Sequence, residues 1–388
     1  MNEPQFIYLD HAATTPVDPE VVAIILPWLS SVSHCGNPSS VHSAGRRARA
    51  ALDDARDSVA ALIGADYSEI TFTSSGTEAD NLALIGVITA APSNKNHLVI
   101  STIEHHANLH AAEVLRKAGY RVTLLPVDSN GIVDLNVAAE AITADTALVS
   151  VMLANNEIGT IQPVVELAQL THARGALFHT DAVQAAGVLP ISVSTLQCDL
   201  LTLSGHKFYG PKGAAALFAC NGLKINPQIH GGGQERERRA GTENVPGLIG
   251  FGKAAQLAKA RMAEEAPKIA DITSAFVADM MAAVPGARLN GHPTQRLCSN
   301  ANFSFDGVDG STLLMNLDRK GICASSGAAC SSGSIEPSHV LSAIGLPRAE
   351  ASGGVRFSTG RCTTQHELAT TVRAVADIVT RLRDRAEL

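Results

Sequence analysis

The 388-residue chain is expected to fold as an α/β protein, with a large, mostly parallel seven-stranded sheet flanked by helices and a smaller α+β domain after it. Three observations lead there. Short apolar runs alternate with amphipathic stretches through the first two-thirds of the chain. Those runs are nearly continuous instead of alternating apolar with polar. From about Val245 the texture changes. Length adds weight, because single cores stop growing beyond about 250–300 residues and two unequal domains become the natural arrangement.

The expected strands lie at 70–73, 98–101, 122–127, 147–153, 176–180, 200–203 and 214–219. Strands covered by helices on both faces read as unbroken apolar runs of this length. Helical stretches at 78–89, 109–117 and 164–174 separate them, which implies right-handed crossovers and a parallel sheet. Functional groups then gather at the carboxyl ends of the strands. Beyond 245 a helix over 252–266 leads out of the large domain. A strand at 299–305, a helix at 310–320, a loop at 324–334, a strand at 355–358 and a terminal helix from about Thr364 follow. The expected division is 14–258 for the large domain and 1–13 with 259–388 for the small one, the first dozen residues supplying an edge segment.

Bulk composition excludes several functions. The net charge is −7 and no basic run occurs, which argues against nucleic-acid binding. No segment approaches the roughly 18 uninterrupted apolar residues of a membrane span. The start, Met1-Asn2-Glu3-Pro4, lacks the basic and apolar regions of a secretion signal. The seven cysteines are scattered, with no C-x-x-C pair for structural zinc, so reduced thiols in the cytoplasm are expected. With aromatics at 4%, aliphatic and alanine packing must fill the core.

Chemistry concentrates after two strands. The run 198–203 delivers Ser204-Gly205-His206-Lys207, a lysine beside small and imidazole side chains. Lysines in apolar surroundings lose proton affinity and become nucleophilic amines, suited to Schiff-base formation with an aldehyde. The run 176–180 ends in Asp181, with Gln184 just beyond. A carboxylate near such a lysine is the usual partner of a protonated pyridine nitrogen. Together Lys207 and Asp181 suggest pyridoxal phosphate.

Further constellations follow other strands. Ser75-Gly76-Thr77-Glu78 has the capping-box pattern and opens a helix, so it serves either as an ordinary cap or as a phosphate cradle. Of Glu104-His105-His106, at most one histidine can face the site, since neighbours point apart. Asn155-Asn156 can bond a cofactor or substrate, or make an Asx turn. The glycines 231–233 and arginines up to Arg239 read as a phosphate-facing loop or a solvated charge run, the second being favoured for most of the arginines. Cys330 sits in a segment of glycine, serine and alanine, expected to be flexible and to carry an exposed thiol; Cys323, after a strand-like pair, reads as structural. Arg356, alone in an apolar strand, needs an ion pair or a substrate carboxylate.

Taken in order, Tyr8-Leu-Asp-His-Ala-Ala-Thr-Thr-Pro16, Gly36-Asn-Pro-Ser-Ser-Val-His-Ser43, Ser75-Gly-Thr-Glu78, Asn155-Asn-Glu-Ile-Gly159, His179-Thr-Asp-Ala-Val-Gln184, Ser204-Gly-His-Lys207, Arg239-Ala-Gly-Thr-Glu-Asn244, Ser325-Ser-Gly-Ala-Ala-Cys330 and Glu336-Pro-Ser-His339 closely resemble the cysteine desulfurases of the NifS/IscS type. The resemblance implies a fold-type I pyridoxal-phosphate transferase, a homodimer that converts L-cysteine to L-alanine. It implies that Lys207 holds the cofactor aldehyde, Asp181 the pyridine nitrogen, and Gln184 and Asn156 the phenolic side, with His105 over the ring as proton shuttle. Gly76, Thr77, Ser204 and His206 would bind the phosphate, with Thr242 from the partner subunit. Arg356, beside Asn156, would grip the substrate carboxylate. Cys330 would take the sulfur as a persulfide on a mobile loop, pass it to an iron–sulfur scaffold, and serve as a transient cluster ligand. Where relatives read Ser-Gly-Ser-Ala-Cys-Thr, this chain has Ser326-Gly327-Ala328-Ala329-Cys330-Ser331. The segment 240–244 leans towards the nitrogen-fixation branch. The alternatives are a selenocysteine lyase, another fold-type I aminotransferase, and a non-enzymatic cysteine scaffold.

Overall fold

The computed structural model describes residues 6–327 and 337–386. In chain order the strands are β1 (Ile7–Tyr8), β2 (Ile70–Thr73), β3 (His97–Ser101), β4 (Arg121–Leu125), β5 (Thr146–Ser150), β6 (Leu177–Asp181), β7 (Leu200–Ser204), β8 (Ala215–Ala219), β9 (Ala287–Asn290), β10 (Asn300–Phe305), β11 (Ile322–Cys323) and β12 (Val355–Ser358). The main sheet has seven strands in the order β2-β8-β7-β6-β5-β3-β4. From β7 to β4 the pairings are all parallel, and β8 runs antiparallel between β7 and β2. Each apolar run anticipated from sequence therefore becomes one strand of this sheet.

Burial follows the pattern that predicted it. Every residue of β2, β3, β5, β7 and β8 is buried, because helices cover both faces. β4 differs: it lies at the edge, most of its residues keep access to water, and it stops at Leu125, short of the expected 127. An outward Arg121 suits such an edge, where a charge discourages further strand pairing.

The helix expected at 252–266 is part of a much longer one, Val245–Ala283. Asn244 accepts a hydrogen bond from the Gly247 N–H at 3.2 Å, and Pro246 falls in the first turn, where its missing N–H costs nothing. Near its start, Leu248, Phe251 and Ala255 join the core around the main sheet; further on, Phe276 and Met280 join a second core built on β10 and β12. That second core includes Leu9, and β1 pairs in parallel with β11. Ile7 and Tyr8 thus form a short parallel pair beside that core. β12, β10 and β9 make an antiparallel sheet of three strands. Among the described residues, no helix is long and apolar enough to cross a membrane.

Candidate active site

A cleft of about 320 Å³ opens at the carboxyl ends of β6 and β7. Asp181 is the last residue of β6 and is buried there. Its Oδ1 accepts the Val183 N–H at 2.8 Å, so the turn after the strand fixes the carboxylate. Burial raises its pKa to about 6, although the Val183 hydrogen bond and the nearby Lys207 charge pull it down. Lys207 closes the one-turn helix Gly205–Lys207 directly after β7. Its Nζ donates to the carbonyls of Ala12 at 2.7 Å and Ala13 at 2.9 Å. Gln184 Nε2 donates to the same Ala12 carbonyl at 2.9 Å, so the N-terminal segment closes one side of the cleft. Glycine is required at 205 because a Cβ would lie 2.9 Å from the Phe251 ring.

The helix Gly76–Ala90 points its N-terminus into the cleft, presenting Gly76 and Thr77. Ser75 Oγ accepts the Glu78 N–H at 3.1 Å, as the capping pattern predicted. The reciprocal bond is displaced by one residue: Glu78 accepts from the Ser74 N–H at 2.9 Å and pairs with Arg239 Nε at 2.8 Å. A free helix start of this kind favours an anion. Ser204 and His206 line the same end. His206 Nδ1 lies 3.1 Å from Thr14 Oγ1, and burial, then the charges of Lys207 and Lys212, lowers its pKa to about 4.

His105 lines the cleft and caps the helix His106–Lys117, its Nδ1 accepting the Ala107 N–H at 3.1 Å. Burial, reinforced by Lys207, lowers its pKa to about 4. The ring is therefore neutral at pH 7, with its proton on Nε2. His106 does not line the cleft; it faces His110 and His339. The two asparagines divide the alternatives between them. Asn155 Oδ1 accepts the N–H groups of Glu157 and Ile158 in a buried Asx turn, while Asn156 lines the cleft. Arg356, in β12, is 2% exposed and also reaches it. One nitrogen pairs with Asp10 at 2.8 Å, another donates to the Asn156 carbonyl at 2.8 Å, and Nε has no hydrogen-bond partner among the described residues.

Thr242 borders a separate small pocket with Arg239 and Glu243 and does not reach this chain's own cleft. Cys330 lies outside the described residues, as does the greater part of the 324–334 loop. The supposedly solvated charge run proves to be largely folded in. Glu235 is buried against Arg56, Arg239 pairs with Glu78, and Arg238 is half-buried.

Sequence reasoning missed Ala12, Ala13, Asp80, Met152 and Gly327, which also line the cleft. Asp80 was detectable, since i, i+4 spacing puts it on the same helix face as Gly76. It is 2% exposed, and its Oδ1 has no hydrogen-bond partner among the described residues. Burial, then the adjacent Asp181 charge, pushes its pKa well above its ordinary value.

An amine, a buried carboxyl on the adjacent strand, a helix start with neighbouring hydroxyls and a buried guanidinium suit an aldehyde-bearing pyridine phosphate and a small amino-acid carboxylate. Comparison with known proteins agrees. The aminotransferase class-V model matches residues 7–370. A cysteine desulfurase IscS of Methanosarcina thermophila is 46% identical over 386 residues, covering 100% of this chain and 95% of that one.

The chain belongs to the class-V aminotransferase family, among its cysteine desulfurases.

A solved NifS-like protein superimposes with a TM-score of 0.91 at 35% identity, covering 97% of this chain and all of the other. A structure of SspA in complex with cysteine gives 0.80 at 34% identity, covering 90% and 98%. The fold is the fold-type I arrangement and the enzyme depends on pyridoxal phosphate.

Proposed function

We propose that this desulfurase moves the sulfur of L-cysteine onto Cys330 and releases L-alanine. The observation that carries the reading is Lys207 and Asp181 at the ends of adjacent parallel strands, facing one cleft that Arg356 also reaches. When bound, pyridoxal phosphate supplies an electron sink for the carbanion left by α-proton removal. Lys207 would hold it through Nζ and would move the α-proton with the same amine. Asp181 would keep the pyridine nitrogen protonated; Gly76, Thr77, Ser204 and His206 would receive the phosphate; Gln184 and Asn156 would serve the phenolic oxygen. His105, neutral with its proton on Nε2, would contact the ring and shuttle protons. Arg356 exchanges part of its present bonding for the substrate carboxylate, with Asn156 beside it.

Sulfur transfer then needs a thiolate. Cys330 attacks the substrate sulfur; the S–S bond forms as the Cβ–S bond breaks, and the electron pair stays with the carbon skeleton, which is protonated to alanine. The net change is cysteine plus enzyme thiol to alanine plus enzyme persulfide. Gly327, three positions before Cys330 in the sequence, lines the cleft.

The active form is proposed to be a homodimer in which Thr242 of the partner subunit completes the phosphate site, in keeping with its distance from this chain's own cleft. Val22, Leu26 and Leu29 form one exposed apolar face of the helix Pro19–Ser30, continued by Val32, and a second copy would cover such a face. Residues 14–258 and 1–13 with 259–388 serve as the two domains. The sulfur goes to a cytoplasmic acceptor, an iron–sulfur scaffold in this reading, with Cys330 as a transient cluster ligand. Mass spectrometry after exposure to L-cysteine should show an added sulfur on the Cys330 peptide. Cys330→Ser should keep the visible absorbance of bound cofactor and lose both persulfide and sulfide release. Persulfide on another cysteine, with Cys330 unmodified, would reject the assignment.

A further inference from the structure

Glu157 is 2% exposed, belongs to none of the groups assigned so far, and lies just behind the cleft-lining Asn156. Ser338 Oγ donates to its Oε2 at 2.5 Å. Gly327 packs on the same oxygen: a Cβ there would sit 3.0 Å from Oε2, and its φ of +87° already demands glycine. One buried carboxylate group therefore touches both Gly327 and Ser338. The chain that carries Cys330 leaves from one contact and returns to the other.

Neighbouring contacts fix this junction from both sides. Asn302 Nδ2 donates to the Glu157 carbonyl at 3.2 Å, and the Asx turn of Asn155 holds the Glu157 N–H at 2.9 Å. Ser325 exchanges backbone hydrogen bonds with Arg356 at 3.1 and 2.6 Å, which places the outgoing strand beside the substrate-binding arginine. A carboxylate buried at this depth costs several kcal/mol unless it is paired or protonated. Burial does push its pKa up to about 7, against the Ser338 hydrogen bond and the Arg356 charge. A neutral apolar side chain would fill the same space more cheaply, so the group needs a reason to be there.

We propose that Glu157 is a positioning residue for sulfur transfer: it ties together the two ends of the Cys330-bearing segment at the rim of the cleft and so sets where the thiol can reach. It touches neither substrate nor cofactor. The inference rests on the reading that Cys330 receives the sulfur, and it adds the element that aims it.

The test uses the cofactor-loaded enzyme. Glu157→Ala should lower kcat for alanine formation by about 10- to 100-fold, the scale for a misplaced reacting group. The KM for cysteine and the absorbance of bound cofactor should stay unchanged. The rate of Cys330 alkylation by iodoacetamide, read at its own peptide because exposed Cys35 and Cys362 also react, should change with kcat. Glu157→Gln keeps an acceptor for Ser338 and should restore most of the rate. Ser338→Ala should move kcat in the same direction, and with Glu157→Gln it carries the test if the alanine variant does not fold. Normal kcat in Glu157→Ala, a parallel loss of cofactor absorbance, or a glutamine variant no better than alanine would each overturn the proposal. Alkylation needs no turnover, so it separates this failure from that of the sulfur-transfer reading, which Cys330→Ser addresses alone.

Discussion

Asp181 and Lys207 hang from adjacent strands of one sheet, whereas Arg356 and Gly327 reach the same cleft from β12 and from the segment after β11. On the sheet side each side chain is fixed by neighbours a few residues away or by a strand ladder: Asp181 by Val183, Ser75 by Glu78. On the other side the ties span the chain: Arg356 with Asp10, Ser338 with Glu157, Asn302 with the Glu157 carbonyl. Under the proposed roles, the contrast teaches that the cofactor end depends on regular secondary structure, while substrate grip depends on contacts between remote segments. Damage to the first should cost cofactor and fold; damage to the second should cost substrate handling first.

The largest expected effect lies on the sheet side. Glu235 makes two 2.7 Å bonds to Arg56 and accepts the Phe72 N–H at 2.8 Å, closing the free edge of β2 just before the Gly76 helix. Glu235→Ala leaves the Arg56 charge buried and uncompensated, and should lose about 3–5 kcal/mol in denaturant unfolding, with weaker cofactor binding. A loss below about 1 kcal/mol, the range of exposed pairs, would show that the pair does not hold that side together.

Next, Arg356→Ala should raise the KM for cysteine by about 30-fold or more, while cofactor affinity shifts by less than about threefold. Equal losses in both would erase the proposed division.

The smallest effect concerns Glu104, which accepts bonds from Ser101 at 2.6 Å, the Met152 N–H at 2.8 Å and Asn108 at 3.1 Å. Burial outweighs these and raises its pKa to about 8. The native state therefore binds more protons than the unfolded chain between about pH 4.3 and 8, and stability falls as pH rises through that window. Asn108 Oδ1 has no hydrogen-bond partner among the described residues, so an amide placed at 104 can donate to it. Glu104→Gln should reduce the pH slope of thermal stability between pH 5 and 8 and match or exceed the parent at pH 8. An unchanged slope would mean that the carboxyl is ionised in the native state.

Legibility differed along the same line. The sheet side could be read directly: every strand of the main sheet, Lys207, Asp181, and the Ser75 cap with its Gly76 helix start. Continuous apolar runs, a charge at a strand end and a capping pattern are local signals. Residues 252–266 read as helix, but not the full Val245–Ala283, because no periodicity announces that one helix serves two cores. The run at 234–239 read as solvated because its partners, Arg56 and Glu78, are more than a hundred residues away. Ala12 and Ala13 carried no signal, since only their carbonyls act.

Local chemistry was thus settled by residue order: apolar runs make strands, and the residues after them present an amine and a carboxylate. Docking decided the rest. Why the pKa values of Asp80 and Glu104 are raised, what Arg356 holds, and why Glu157 is buried depend on dielectric and distance between remote segments. Desolvation and Coulomb energies are set by three-dimensional neighbours, and no spacing along the chain encodes them.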